Sequence, residues 1–311
     1  MNIHSYNGIV SFHKTLISIL LLLDSGVCIL FELPILSNSL DFKGVVISEN
    51  VIRVVSTDTS YALYKYDNTV DIYLVENKTM QTYRNVIEIH STKKEYLAYI
   101  LHHNNTIVPL GTIRSIGANG RFRGLISLDI DYIYSNNFSF CIKDKNSRLY
   151  TWGEYNYGGR INIPLIELKK LYNYVENQEV KTSISFNYKE NDTCLVDIHE
   201  VYSNNGAYLA ITKNETIITW GEAQYGGGKI ITSLINNIKK ICAGTYAFYI
   251  LTLTGKVYIL GDVIWEKTIN KKYLSNIIDI YIQNKIIYAI NNKKKLVWWS
   301  YTDNYSTFIG Y

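Results

Sequence analysis

Tyr134-Ser-Asn-Asn137 leading to Thr151-Trp-Gly-Glu154, and Tyr202-Ser-Asn-Asn205 leading to Thr219-Trp-Gly-Glu222, are two copies of one pattern. In both, the Ser-to-Trp interval is 17 residues, and the same interval separates Ala243 from Leu260 and Ile282 from Trp299. Each copy opens with two apolar residues three apart, followed two positions later by the anchor residue: Ile130, Ile133 and Ser135; Ile198, Val201 and Ser203; Ile238, Ile241 and Ala243; Ile277, Ile280 and Ile282. Working outward, Val51, Val54 and Ser56 fit the same opening, as do Val86, Ile89 and Ser91 and, more loosely, Tyr6, Ile9 and Ser11. An eighth opening, Leu168, Leu171 and Asn173, falls in the long gap between Ser135 and Ser203 and lacks a Trp-Gly continuation, so the region 168–197 reads either as a compressed unit or as an insertion.

After each anchor an apolar run such as Tyr208 to Ile211 or Phe248 to Leu251 is followed by a polar turn and a second apolar run. The turns, Lys213-Asn-Glu215, Thr254-Gly-Lys256, Asn291-Asn-Lys293 and Asp144-Lys-Asn-Ser147, hold residues suited to turn geometry, so each unit is expected to contain a β-hairpin. Repeats of about 40 residues with several strands each point to a β-propeller rather than a solenoid, whose coils are shorter. A blade cannot bury both its faces alone, so neighbours must supply the core and closure must remove the end faces. The expected fold is therefore all-β, a closed antiparallel β-propeller of seven blades with eight as the alternative, spanning 1–311 as one domain.

Composition agrees. Hydrophobic residues make up 47% and charged residues 19% of the 311 residues, with 28 Tyr and 3 Pro, which is too apolar and aromatic for a disordered chain. The net charge of +4 does not indicate nucleic acid, and the basic run Lys293 to Lys295 sits in an expected turn. Leu16 to Leu23 is too short to span a bilayer. Ile17 to Leu23 reads as a strand paired with Val27 to Phe31 across the turn Asp24-Ser25-Gly26, with a signal-peptide core over Leu16 to Leu23, and hence secretion, as the alternative. Cys28, Cys141, Cys194 and Cys242 are widely spaced, with no CxxC pair, and are expected to be free thiols; this favours a cytoplasmic or nuclear location.

The repeats resemble those of the regulator-of-chromosome-condensation family, whose pattern is an apolar pair, a small residue, a strand, a Gly-containing turn, then Trp-Gly and a Gly pair. Ile238 to Gly261 carries most of it, and Trp152-Gly153 with Gly158-Gly159 and Trp220-Gly221 with Gly226-Gly227-Gly228 resemble its ending. The resemblance is strong from about Asp129 to Leu260. It implies a rigid disc whose loops contact other proteins, and in some members guanine-nucleotide exchange on a small GTPase.

No catalytic motif is present: there is no HExxH, no phosphate-binding GxxxxGK[ST] and no GxSxG elbow, and no cofactor motif. His102-His103 reads as a hairpin tip, His199-Glu200 as solvent-facing, Gly226 to Gly228 as a turn, and the tryptophans as core. The expected function is a protein-interaction scaffold. Its candidate binding residues are those following the two Trp-Gly blocks, Glu154, Tyr155 and Tyr157 in one and Glu222, Gln224 and Tyr225 in the other, since tyrosine supplies contact area at little entropic cost.

Overall fold

An apolar pair three residues apart is a puzzle for a strand, in which side chains alternate and positions i and i+3 face opposite ways. The chain solves it with a β-bulge at the same place in each unit. The computed structural model describes residues 8–15, 17–32, 44–92, 97–101, 106–109, 126–127, 129–161, 184–187, 192–231, 237–261, 275–283, 286–300 and 307–310. Within these lie seven antiparallel sheets in chain order.

The first sheet holds β1 (Ile9–Lys14), β2 (Ser18–Leu23), β3 (Cys28–Glu32) and β4 (Val45–Ser48). The second holds β5 (Val51–Ser56), β6 (Ser60–Lys65), β7 (Thr69–Leu74) and β8 (Thr79–Arg84). The third holds β9 (Val86–Ser91), β10 (Leu97–Leu101), β11 (Thr106–Pro109) and β12 (Ile126–Ser127). The fourth holds β13 (Ile130–Ser135), β14 (Ser139–Asp144), β15 (Leu149–Gly153), β16 (Ile184–Asn187) and β17 (Asp192–Leu195), in the order β13-β14-β15-β17-β16. The fifth holds β18 (Ile198–Ser203), β19 (Ala207–Thr212), β20 (Ile217–Gly221) and β21 (Ile230–Ile231), and the sixth β22 (Ile238–Ala243), β23 (Ala247–Thr252) and β24 (Val257–Gly261). The seventh holds β25 (Ile277–Gln283), β26 (Ile286–Asn291), β27 (Leu296–Ser300) and β28 (Thr307–Gly310). Sheets one to three lie in one compact unit, Met1–Leu128, and sheets four to seven in another, Asp129–Tyr311.

In β18, Ile198 pairs with Thr212 and Glu200 with Ile211, so His199 is the extra residue. The same skip leaves Ile52, Lys239 and Ile278 as extra residues in β5, β22 and β25. A bulge of this kind returns the strand to phase after one additional residue. Ile198 and Val201 therefore bury together, as do Val51 with Val54 and Ile277 with Ile280. Four pairs pack on the sheet before them within their unit: Val51 and Val54 on Leu20, Leu22, Cys28 and Leu30; Val86 and Ile89 on Ala62 and Ile72; Ile198 and Val201 on Cys141 and Leu149; Ile277 and Ile280 on Ala247 and Tyr249.

Tyrosine hydroxyls tie the same junctions. Tyr61 donates to the Ser18 carbonyl at 3.1 Å, and Tyr208 donates to the Ser139 carbonyl at 2.7 Å. Burial pushes the Tyr208 hydroxyl well above the ordinary tyrosine range, which keeps it a proton donor. At the junction of sheets two and three the backbone N–H of Ile89 donates to the Tyr64 hydroxyl at 2.7 Å.

Several expectations can be placed against this architecture. Ile17 to Leu23 contributes strand β2, paired with β3 across a turn containing Gly26 at φ 79°. The 17-residue interval is a register statement: Ser135 pairs with Phe140 and Phe140 with Trp152, just as Ser203, Tyr208 and Trp220 align. Ser56, Tyr61 and Tyr73 make the same alignment, a fifth instance with tyrosine in the tryptophan position. The anchor in the first unit is a correction. Lys14 pairs with Ile19 and Ile19 with Phe31, so the register places the anchor at Lys14, not Ser11, and the apolar pair at Ile9 and Phe12. The marker that misled is a serine of ordinary type, where the true position holds a lysine. Tyr6 and the eighth opening at 168–173 lie outside the described residues, as do His102 and His103. The described strands β16 and β17 within 168–197 extend the fourth sheet and form no sheet of their own. Cys28, Cys141 and Cys242 are free thiols, and burial pushes the Cys28 thiol up to about 12.

Deleting His199 should throw Ile198 onto the opposite face of β18 and cost about 2–5 kcal/mol, the range for losing a buried Ile from a core. His199→Ala keeps the bulge and, at a side chain 67% exposed, should change stability by less than about 0.5 kcal/mol. Urea unfolding of the two variants checks the contrast; equal stability would show that the bulge does not set the packing.

Candidate functional site

Both Trp-Gly blocks end in the same local structure. A single 3-10 turn spans Tyr155–Tyr157 in one and Ala223–Tyr225 in the other, and each closes on a left-handed glycine, Gly158 at φ 91° and Gly226 at φ 96°. The glycines are required twice over. A Cβ on Gly158 would lie 2.7 Å from the Tyr208 ring of the following sheet, and one on Gly226 would lie 2.5 Å from the Leu260 carbonyl oxygen of its following sheet. The loops are thereby pressed against the neighbouring sheet.

The asparagines of the Ser-Asn-Asn motif hold these loops down. The Asn136 side-chain amide donates to the Tyr157 carbonyl at 2.6 Å, while its Oδ1 accepts from the backbone N–H of Phe138 and of Ser139. Asn204 repeats the arrangement, donating to the Tyr225 carbonyl at 2.7 Å and accepting from Gly206 and Ala207. Both asparagines are buried. A short amide side chain is the group that can bond its own backbone two and three residues on and still donate outward. In the first two sheets the equivalent position is Thr15 or Thr57, whose hydroxyl accepts from Ser18 or Ser60.

The candidate residues therefore come together as two adjacent loops of one unit. The rings of Tyr157 and Tyr225 are 6.4 Å apart, and the contacts continue from Phe138 to Tyr157 at 4.2 Å and from Tyr225 to Tyr246 at 5.8 Å. This row crosses sheets four, five and six. Tyr155 is 47% exposed with the Arg160 guanidinium 5.8 Å from its ring centre, and Gln224 is exposed. Glu154 and Glu222 are half-buried at the start of each turn. Tyr157 and Tyr225 are half-buried and serve as much to seal the loops as to face outward. Trp152 and Trp220 are buried, stacked on Phe140 and Tyr208, and are core rather than platform.

Sequence reading missed Phe138 and Tyr246, which belong to the row. The signal was available, since each stands a fixed three residues after its anchor, but one is Phe and the other Tyr in otherwise unlike loops. Among the described residues no cluster of His, Cys, Asp and Glu could hold a metal ion, and no helix is long and apolar enough to cross a membrane.

No family model matches the chain, and no curated protein matches it by sequence. Among solved structures it is similar to Prp20p of Saccharomyces cerevisiae, a yeast RCC1 described with its binding properties to Gsp1p and histones, at 14% identity and a TM-score of 0.39, over 94% of this chain and 72% of that one. It is similar to human WBSCR16 at 11% identity and a TM-score of 0.42, over 83% of this chain and 78% of that one. The WD40 ectodomain of the Arabidopsis thaliana receptor kinase ACR4 gives 11% identity and a TM-score of 0.40, over 82% of this chain and 83% of that one. The all-β fold rests on the seven sheets themselves, and the resemblance to chromosome-condensation-regulator repeats rests on the motifs they carry.

Asn204→Ala removes the donor to Tyr225 and strands two backbone N–H groups, so it should cost about 1–3 kcal/mol and raise hydrogen exchange at 222–228 above that of the loop at 154–159. Exchange mass spectrometry of the intact chain reads both loops at once; unchanged protection at 222–228 would remove Asn204 from the positioning of Tyr225.

Proposed function

We propose that the chain is a protein-interaction scaffold that binds its partner through the two loops after the Trp-Gly blocks. The observation that carries this reading is the repetition itself: two adjacent sheets present the same 3-10 turn, clamped by the same asparagine, with Tyr155 and Gln224 exposed and Glu154 and Glu222 at the rims. Rigid loops lose little entropy on association, and aromatic side chains flanked by polar groups are what protein interfaces favour. Guanine-nucleotide exchange on a small GTPase is the narrower version, supported by the family resemblance. A secreted binding propeller is the remaining alternative.

A pull-down from the native cell should retain a partner on the intact chain and lose it with Tyr155→Ala, Gln224→Ala, Glu154→Gln and Glu222→Gln combined, all rim positions that leave the aromatic row in place. Equal capture by the folded variant would reject this face. If the captured partner is a GTPase, acceleration of nucleotide release by substoichiometric chain separates an exchange factor from a scaffold.

The finer reading of the fold is a closed seven-bladed ring forming one domain over 1–311. Supporting it are the seven sheets in chain order and the one-residue bulge that recurs in their first strands. Small-angle X-ray scattering of the intact chain should give the pair-distance distribution of a closed disc; an elongated particle would favour an open row of sheets.

A further inference from the structure

Each sheet has a far edge, at the strand opposite its first, and an edge strand presents a row of backbone N–H and C=O groups that can template another strand. Several far edges of this chain are blunted. In sheet one β4 is four residues long, and its register with β3 skips Ile47. In sheets three and five the far strands, β12 and β21, are two residues each, and in sheet seven β28 is four. Sheet four is covered outright: β17, fourth in position, pairs from Asp192 to Leu195 with the additional strand β16.

Sheet two has none of these devices. Its far strand β8 is six residues long and pairs with β7 in an unbroken register, from Thr69 with Arg84 to Leu74 with Thr79. It contains no proline, and all its residues except Tyr83 are exposed. One face of the strand is closed: the Tyr83 hydroxyl donates to Gln81 Oε1 at 2.6 Å, and the Tyr83 ring packs on the core that includes Val70 and Ile72. The other face holds Met80, Thr82 and Arg84. Thr82 donates to Asp71 Oδ1 at 2.6 Å, and Met80, 39% exposed, stands opposite Tyr73. Of the two cations bordering the strand, Lys78 is held by Glu32, whereas Arg84 is exposed and has no ion-pair partner among the described residues.

We infer that β8 is a docking edge for an extended, proline-free segment of a partner protein, which adds to sheet two as a fifth strand. Backbone hydrogen bonds supply the affinity, and side chains on the Met80 face supply the selectivity. Antiparallel pairing, as between β16 and β17 and between β7 and β8, sets the order of the guest's side chains. The guest residue opposite Arg84 comes first, and the residues opposite Thr82 and Met80 follow it at alternate positions on the same face. A carboxylate complements Arg84, a β-branched residue suits Thr82, and an apolar residue opposite Met80 extends the contact that Tyr73 begins. The guest is therefore an extended segment in which an acidic, a β-branched and an apolar residue alternate in that order along one face. The edge belongs to sheet two, and the inference stands or falls independently of the loops at 154–159 and 222–227.

The test is a titration of the intact chain with the acetylated, amidated peptide Thr-Glu-Thr-Val-Thr-Ile-Thr, read by hydrogen-exchange mass spectrometry. Saturable slowing of exchange at 79–84 is expected. Two analogues N-methylated on alternate residues separate strand addition from side-chain contact alone. An extended guest turns alternate N–H groups to opposite edges, so one analogue should lose binding and the other keep it. Arg84→Glu, at an exposed position and with folding verified by circular dichroism, should weaken binding about tenfold. A peptide with lysine in place of glutamate should recover it. Sedimentation velocity of the chain alone, with exchange at 79–84 followed against concentration, reads the other occupant: a dimer protected at β8 would assign the edge to a second copy and overturn the inference. Absence of slowing at millimolar peptide, equal binding of the two N-methylated analogues, or undiminished binding by folded Arg84→Glu would overturn it as well.

Discussion

The one-residue bulge in the first strand of each unit is the constraint from which the other features follow. Without it, Ile198 and Val201 would face opposite sides of β18, and the sheet could not both pair with β19 and pack two apolar side chains on the sheet before it. With it, the strand acquires a double-residue contact on one face and a regular alternation of polar groups on the other. The cost is an exposed extra residue, and the chain accepts whatever stands there: Ile52 is 49% exposed, Ile87 63% and His199 67%. That indifference is physically sensible, since an unpaired residue turned to solvent is selected only for its backbone.

Once the junctions are fixed, the loops inherit their positions. The anchor residue ends the first strand, and the next position must turn the chain into the second while leaving no buried N–H unpaired. Asn136 and Asn204 do this and also reach the carbonyl of the tyrosine that closes the 3-10 turn. Thr15 and Thr57 do it with a hydroxyl, accepting from Ser18 and Ser60. The carboxamide has the extra donor that allows a second attachment, and the two units with asparagine are the two with a glycine-closed 3-10 turn after the Trp-Gly block. Core, turn and loop are thus linked through one side chain in each unit.

Much of this was legible from the chain. The 17-residue interval is a hairpin register, and it holds wherever both the loop between the first and second strands and the turn between the second and third keep one length. Legibility failed where side-chain identity drifted while geometry did not. Tyr73 occupies the position of Trp220 and Lys14 that of Ser203, so a search for serine and tryptophan passed over the one and placed the other's unit three residues early. A better marker stands six residues before five of the seven anchors. Asn50, Asn85, Asp197 and Asn276 are there, with φ between 57° and 60°, a left-handed conformation that these residues tolerate. Gly8 occupies it in the first unit at φ 73°, which fits an anchor at Lys14 and not at Ser11. Backbone conformation constrains that position more tightly than packing constrains the serine.

The candidate sites were legible to different degrees for the same reason. The loop residues sit in a motif that repeats in order along the chain, so Glu154 and Glu222, or Tyr157 and Tyr225, align by inspection. The first-strand groups do not, because the contact that matters crosses strands: Lys240 belongs to one repeat, and the Asp279 carboxylate and Tyr281 ring that meet its ammonium belong to the next. Comparing repeats position by position sets Lys240 against Tyr132, Glu200 and Asp279, and the column looks unconstrained. Read across the junction, the lysine is explained by what the following strand places opposite it, and a comparison confined to aligned positions has no means of showing this.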